Sequence, residues 1–167
     1  MVDLINKDGG IMVDGKKLPV KVRIVDTESN PTKASEVATK LILEDKIDLM
    51  LTYATPDTVN PVSAACERYG VPCIATNCPI EPWLAGGPYK WSYLAFFTVD
   101  QLSDMFTGVF DLAADRTNKT AGLLLPNDAD GMNWAKIFNE NLPKKGYKVV
   151  DPGRWTPLQT KDFTAMI

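Results

Sequence analysis

The sequence predicts an α/β protein in which parallel strands are flanked by helices. Short apolar runs alternate with amphipathic helical patterns, and a polar turn follows each apolar run. The clearest unit has strands over residues 47–51 and 71–75, the first buried on both faces, joined by a crossover helix over residues 58–69. Parallel strands end at the same edge of a sheet. The loops 52–57 and 76–79 are therefore predicted to open at the edge where such sheets bind ligands.

The elements before this unit are indicated by turn and cap residues. Residues 1–6 have the pattern of a helix end, and an Asp-Gly pair predicts a hairpin between strands over residues 11–13 and 18–26, the second with one buried face. Asn30 precedes a proline and is predicted to cap the next helix. The apolar stripe that packs this helix on the sheet comprises Ala34, Val37, Ala38, Leu41 and Ile42.

The chain continues in the same alternation of strands and helices. An aromatic-rich segment over residues 81–97 is predicted to be a loop leading into a strand, and its aromatic side chains either wall a ligand pocket or pack in the core. A helix over residues 100–116, capped by Thr98 or Asp100, precedes a buried strand over residues 119–125. The remaining predicted elements are a helix around Trp134, a strand over residues 147–151 and the start of a helix over residues 161–167.

The composition argues against several classes of function. The 167 residues carry a net charge of −3 without a basic stripe, so we expect no nucleic-acid partner. The sequence has no histidine, which excludes histidine-based triads and most catalytic zinc sites. No apolar run approaches the roughly 18 residues that span a bilayer. We predict a protein that is not an enzyme and that uses no metal or cofactor.

The three cysteines match no zinc or redox motif. Buried thiols are the favoured interpretation for Cys66, Cys73 and Cys78. A Cys66–Cys73 disulfide is the alternative, and it requires the helix end and the strand to lie close together. An α/β enzyme acting through Asp26, Asp57 or Cys78 is disfavoured, because neither a histidine partner nor a glycine-rich phosphate loop accompanies them.

An ordered set of motifs runs along the whole chain. INKDGGI is followed by a strand ending in Asp and by an Asn-Pro helix start, and then come the segment 52–61, YGVPCIAT, the Phe97-Thr98 pair and DFTAMI. This order resembles the leucine/isoleucine/valine-binding-protein family of type I periplasmic binding proteins, which serve ABC importers. The resemblance implies two Rossmann-like lobes of parallel sheet, with a ligand held in the cleft that closes between them.

The resemblance also implies how the chain is divided. Residues 1–98 correspond to lobe one without its first strand and its C-terminal return, and residues 99–167 correspond to the first half of lobe two. We therefore expect the sequence to be a fragment of a longer periplasmic or extracellular protein. Unpaired sheet edges and uncovered apolar helix faces are expected to make such a fragment associate with itself.

By the same resemblance, the ligand lies at the two loops of the central unit and at one loop of lobe two. Hydroxyls and free N–H groups at strand ends and helix N-termini suit a carboxylate. Departures from the family pattern at Pro56-Asp57 and Asn77-Cys78 leave the ligand open, and Asp130 either faces a cationic or hydroxylated ligand or caps its helix. The implied ligand-binding residues are Tyr53, Ala54, Thr55, Thr76, Asn77, Cys78 and Asp130.

The function that the resemblance implies is capture of a small solute. The predicted ligand is an amino acid or a related polar molecule, and the predicted partner is an ABC permease in the membrane. A ligand-sensing domain of the same fold, in a receptor or a regulator, is the alternative.

Overall fold

The computed structural model describes residues 1–156 and 160–167. Its first elements are α1 (Val2–Lys7), β1 (Ile11–Val13), β2 (Lys16–Leu18), α2 (Pro31–Leu43), β3 (Met50–Tyr53), α3 (Pro56–Tyr69), β4 (Cys73–Thr76), α4 (Ile80–Leu84) and β5 (Ser92–Ala95). The later elements are α5 (Val99–Asp111), β6 (Thr120–Gly122), β7 (Leu125–Pro126), α6 (Ala129–Asn141), β8 (Lys148–Val150) and β9 (Arg154–Trp155). None of the helices found in these residues is long and apolar enough to cross a membrane. The alternation of elements confirms the α/β class.

The central unit is a parallel three-stranded sheet with the strand order β3-β4-β5. Met50 of β3 pairs with Cys73 of β4, and Cys73 pairs with Ser92 of β5. Helix α3 connects β3 to β4, which confirms the predicted strand–helix–strand unit. The carboxyl ends of all three strands therefore lie at one edge of the sheet, and the loops after β3 and β4 are neighbours there.

Helices α2 and α3 cover one face of this sheet. Asn30 caps α2, because its side-chain oxygen accepts a hydrogen bond from the Lys33 N–H at 3.0 Å. The predicted stripe of α2 faces inward, and fully burying a leucine or isoleucine side chain there contributes roughly 1.5–3 kcal/mol. The buried residues of this core are Ala34, Ala38, Leu41, Ile42, Met50, Val62, Ala65, Cys66 and Cys73, with Val37 packed against them.

The opposite face of the sheet is open. Leu51, Ile74 and Tyr93 are aligned across β3, β4 and β5, and their exposed fractions are 66%, 40% and 62%. The prediction that the strand over residues 47–51 is buried on both faces is therefore wrong. Strand side chains alternate between two faces, and in the described residues helices cover only one of them.

The hairpin of β1 and β2 is confirmed, but the long strand predicted over residues 18–26 is wrong. β1 and β2 pair antiparallel, and β2 ends at Leu18. Val20 is held by the Asn6 side chain, which accepts from the Val20 N–H at 2.7 Å. No described strand pairs with the residues that follow, and Ile24 is 90% exposed. Alternating apolar residues form a strand only where a neighbour supplies the ladder of hydrogen bonds.

The C-terminal end of α3 is tied to the start of β5 by one carboxylate. Glu67 accepts hydrogen bonds from the backbone N–H groups of Lys90 at 2.8 Å, Trp91 at 2.5 Å and Ser92 at 2.7 Å. Burial opposes the charge of Glu67, but these donors lower the pKa of the carboxyl below its ordinary value. The bonds join segments that lie more than twenty residues apart in sequence.

The aromatic-rich segment is only partly a loop. The short helix α4 within it was missed, because five residues that include a proline give too short a pattern. Trp83 is buried and stacks on Tyr89 with ring centroids 4.5 Å apart, and its Nε1 donates to the Ser63 hydroxyl at 3.3 Å. These two rings therefore pack in the core, whereas Tyr93 is exposed on the open face of the sheet.

The second half of the chain has its own core. Thr98 caps α5, accepting from the Gln101 N–H at 3.1 Å, and α5 ends at Asp111, before the predicted end. β6 pairs with β8 and β7 pairs with β9, both parallel. The buried residues of this core are Leu123, Phe138, Leu142 and Tyr147.

Two predictions for this half are wrong. The buried strand predicted over residues 119–125 is two short strands, because its partners β8 and β9 are themselves separated by residues 151–153. Thr120 and Gly122 are exposed in β6, and only Leu123 is buried. The helix predicted from residue 161 is a single 3₁₀ turn, Thr164–Met166. So short a segment makes too few hydrogen bonds to stabilise an α-helix.

Candidate ligand-binding site

The loops after β3 and β4 contact each other at the edge of the central sheet. The Ala54 N–H donates to the Thr76 carbonyl oxygen at 3.3 Å. Ala54 and Asn77 both have positive φ angles, of 32° and 51°, in the left-handed region that L-residues seldom adopt. Each loop thus turns sharply as it leaves its strand.

The loop after β3 leads directly into α3. Thr55 is the N-cap residue of α3 and is exposed at the edge. The Thr58 hydroxyl oxygen accepts from the Thr55 N–H at 3.1 Å and donates to the Ala54 carbonyl at 2.7 Å. Thr58 is buried, so this closed turn holds Thr55 in place. Thr55 therefore has a structural role as a cap, in addition to any contact with a ligand.

The loop after β4 contains a buried thiol. Cys78 is fully buried, and its Sγ donates to the Pro79 carbonyl at 3.6 Å. Burial and the nearby Asp130 carboxylate raise the pKa of the Cys78 thiol to about 12. A thiol with this pKa is protonated at neutral pH and is a poor nucleophile. Thr76, the last residue of β4, and Asn77, the first residue of this loop, are half-buried.

Helix α6 begins beside this loop. Asp128 caps α6, because its side chain accepts from the Gly131 N–H at 2.7 Å. Asp130 lies in the first turn of the helix, where Asp128 is the N-cap residue, and its carboxylate accepts a hydrogen bond from the Trp134 indole. Its Oδ1 atom is buried, and no hydrogen-bond partner for it exists among the described residues.

Three carboxylates face one another where α3 and α6 begin. We call Asp57, Asp128 and Asp130 the acidic cluster. Burial, and then the charge of Asp128, raise the pKa of Asp57, while the Ala129 N–H lowers it. Burial also raises the pKa of Asp130, and the charges of Asp128 and Asp57 add to the effect, against the lowering contribution of the Trp134 indole. Such a cluster favours a cation or a hydrogen-bond donor over an additional anion.

The predicted site residues lie in different places in the structure. Thr55 and Asn77 lie on the two adjoining loops, Thr76 is the last residue of β4, and the charge of Asp130 acts on Cys78. Tyr53 is 70% exposed and lies two residues after the exposed Leu51 in β3, so both side chains are on the open face of the sheet. Sequence reasoning missed the acidic cluster as a unit. The available signal was that each of its members stands at the start of a helix that follows a strand.

No group of three or more potential ligands placed to hold a metal ion occurs in residues 1–156 and 160–167. The acidic cluster is a half-buried group of carboxylates at the starts of α3 and α6. Its members come from two helices that are far apart in sequence.

A family model described as periplasmic binding protein matches residues 1–167. The chain belongs to the periplasmic binding protein family. This family consists of binding proteins rather than enzymes, in agreement with the predicted absence of catalytic activity. The resemblance inferred from the order of the motifs is confirmed at the level of the family.

Solved structures of this family have the same fold. LivJ from Streptococcus pneumoniae, solved with isoleucine, superimposes with a TM-score of 0.76 at 23% identity, over 98% of this chain and 44% of that chain. A solute-binding protein of an ABC transporter from Rhodopseudomonas palustris BisB5, solved with 3,4-dihydroxybenzoic acid, gives 0.72 at 23% identity, over 97% and 42%. An extracellular ligand-binding receptor from Rhodopseudomonas palustris HaA2 gives 0.63 at 24% identity, over 93% and 41%.

These similarities confirm that the chain has the type I periplasmic binding protein fold. The chain spans 44% of the length of the LivJ structure and 42% of the BisB5 structure. The TM-scores establish the shared fold. At sequence identities below 25%, the similarity does not extend to the identity of the ligand.

Proposed function

We propose that this protein captures a small amino-acid-like or related polar molecule for an ABC importer, in the periplasm or outside the cell. The observation that carries the proposal is the match of the whole chain to a family of solute-binding proteins. The adjoining loops after β3 and β4 support it, because open α/β sheets bind ligands at this edge. The partner in this proposal is a membrane permease that receives the solute.

In the proposed arrangement residues 1–98 belong to lobe one and residues 99–167 to lobe two. Separate buried cores support this division, since one set comprises residues between Ala34 and Trp83 and the other comprises residues between Leu123 and Tyr147. The acidic cluster then bridges the two lobes, because Asp57 comes from the first and Asp128 and Asp130 come from the second.

The ligand contacts in this proposal come mainly from three polar side chains. Thr55, Thr76 and Asn77 offer two hydroxyls and an amide at the ends of adjoining strands. Ala54 and Cys78 contribute backbone atoms, since Ala54 has no polar side chain and Cys78 is buried. Asp130 is proposed to accept from an ammonium or a hydroxyl group of the ligand, because its Oδ1 has no described partner.

Calorimetry on the full-length protein tests this proposal. The panel comprises isoleucine, other amino acids, small amides and 3,4-dihydroxybenzoate. We expect at least one compound to bind, and we expect Thr76→Val to weaken that binding roughly tenfold, because one lost hydrogen bond to a charged group is worth about 1.5 kcal/mol. Thr32→Ala, an exposed residue of α2, is the matched control and should leave the affinity unchanged.

A ligand-sensing role is the second candidate, favoured by the likeness to a protein described as an extracellular ligand-binding receptor. Transport into membrane vesicles that contain a candidate permease separates the two functions. Solute uptake that depends on the added protein supports the importer. Binding without uptake supports the sensor, and the absence of binding to the whole panel contradicts both.

A further inference from the structure

Two of the three cysteines meet in the core at the turn between α3 and β4. Cys66 lies in the last turn of α3, Cys73 is the first residue of β4, and each has 0% of its surface exposed. Gly70 ends the helix in the left-handed conformation with φ 69°, and the Val71 N–H then donates to the Cys66 carbonyl at 3.0 Å. This tight reversal lays the start of β4 against the end of α3.

Both thiols belong to one buried core cluster, together with Met50 and Val62. The interaction between the two thiols raises the pKa of Cys66 and lowers the pKa of Cys73. The hydroxyls of Ser63 and Ser92 also lower the pKa of Cys73, and both serines are buried beside it. Cys73 is thus the better nucleophile of the pair. Cys78 is in a different core cluster, with Trp83.

We propose that Cys66 and Cys73 are a disulfide-forming pair whose oxidant is a disulfide compound. The Cys73 thiolate attacks one sulfur of the oxidant and releases its other half as a thiol. The Cys66 thiolate then attacks the Cys73 sulfur of the mixed disulfide, which forms the Cys66–Cys73 bond and releases the second thiol. Two protons leave the cysteines for the two released thiols, and two electrons reduce the oxidant.

The shared core position makes this reaction selective. A disulfide requires the sulfurs to approach to about 2.05 Å, and the tight reversal at Gly70 brings the two residues into one cluster. Because both thiols are buried, the oxidant reaches them while the chain folds or when the turn at Gly70 opens. Cys78 has no sulfur neighbour in its cluster, so it remains a thiol.

Mass spectrometry on the whole protein tests the proposal. The protein is refolded with oxidised glutathione or with a phosphine reductant, then denatured and alkylated with N-ethylmaleimide. We expect one alkylated cysteine after oxidation and three after reduction. Trypsin cuts after Arg68, between the two cysteines, so the disulfide should link the peptides 47–68 and 69–90. Three alkylated cysteines after refolding with glutathione would overturn the proposal.

Variants assign the bond within the second peptide, which also contains Cys78. Cys78→Ser should keep the linked peptides, and Cys73→Ser should abolish them. Oxidation should raise the melting temperature of the wild type and of Cys78→Ser by roughly 5 °C and leave that of Cys73→Ser unchanged. A link that persists in Cys73→Ser joins Cys66 to Cys78 and refutes the pairing. The wild-type mass remains decisive if a variant does not fold.

Discussion

Asp151 connects the end of β8 to the start of β9. Its two carboxylate oxygens accept from the Arg154 guanidinium at 2.6 and 2.7 Å, and the Asn139 amide donates to it at 2.8 Å. These donors lower the pKa of Asp151 well below its ordinary value, and Arg154 has the largest effect. The charged form is therefore the one that the folded protein stabilises.

We predict that Asp151→Asn lowers the free energy of unfolding by roughly 1–3 kcal/mol at pH 7, because it removes charge-assisted hydrogen bonds. The pKa of Asp151 is lower in the folded than in the unfolded state. The contribution of Asp151 to the free energy of unfolding is present above about pH 4. It is lost as the pH falls through the pKa that Asp151 has in the folded protein. Urea unfolding at several pH values measures this, and Asp115→Asn, at an exposed ion pair, should change little.

Asp130 has the opposite dependence on pH. Its pKa is raised in the folded protein, so the folded state binds the proton more tightly and gains stability as the pH falls towards that pKa. We predict that Asp130→Asn raises the melting temperature at pH 7 and flattens its rise on acidification. Thermal unfolding between pH 4 and pH 8 measures both effects. A lower melting temperature at pH 7 would show that the charge of Asp130 stabilises the fold.

Two glycines, each within a helix, differ in the space around them. A Cβ atom on Gly131 in α6 would lie 2.1 Å from the Pro126 carbonyl oxygen, whereas a Cβ on Gly108 in α5 would meet nothing within 4 Å. Gly131 therefore allows α6 to start directly against β7. Gly108 is exposed and has no such neighbour.

We predict that Gly131→Ala destabilises the protein by roughly 1–3 kcal/mol, because backbone atoms must move to relieve the overlap. Gly108→Ala should stabilise it by about 0.5–1 kcal/mol, because alanine is the better helix former. Chemical unfolding of both variants beside the wild type gives the comparison. Similar free energies of unfolding for the two variants would mean that α6 can move away from β7 without destabilising the protein.

Helix α2 and residues 18–26 show what the sequence was able to predict about elements. The Asn-Pro start and the stripe of α2 are local signals, and a helix makes its hydrogen bonds within itself. The alternation from Val20 to Val25 is equally regular, but a strand depends on a partner elsewhere in the chain. The side of the sheet that helices cover was unpredictable for the same reason.

The open face of the central sheet affects the behaviour of the whole molecule. Leu51, Ile74 and Tyr93 form a continuous exposed row, and apolar rows of this kind favour association. We predict that the 167-residue chain self-associates as its concentration rises, and that Ile74→Lys reduces this. Light scattering over a concentration series measures it, with Leu112→Lys as a control on an exposed residue outside the sheet. A monomer at all concentrations would contradict the prediction.

The candidate site was predictable only in part. Thr55, Thr76 and Asn77 follow strands that a single strand–helix–strand unit brings together, so their proximity could be inferred from order alone. The acidic cluster joins Asp57 to residues more than seventy positions later, and the packing of α3 beside α6 has no local signature. The family was recognisable because the order of many weak motifs is far more specific than any one of them.

The carboxylate of Glu67 gives this fold an internal reporter for nuclear magnetic resonance. Three amide protons, of Lys90, Trp91 and Ser92, share one acceptor that belongs to another element. When Glu67 takes up a proton, all three resonances should shift along the same titration curve. If β5 separates from α3, all three amides should exchange with solvent at one common rate. A single side chain thus makes the docking of helix and strand visible through three amide resonances.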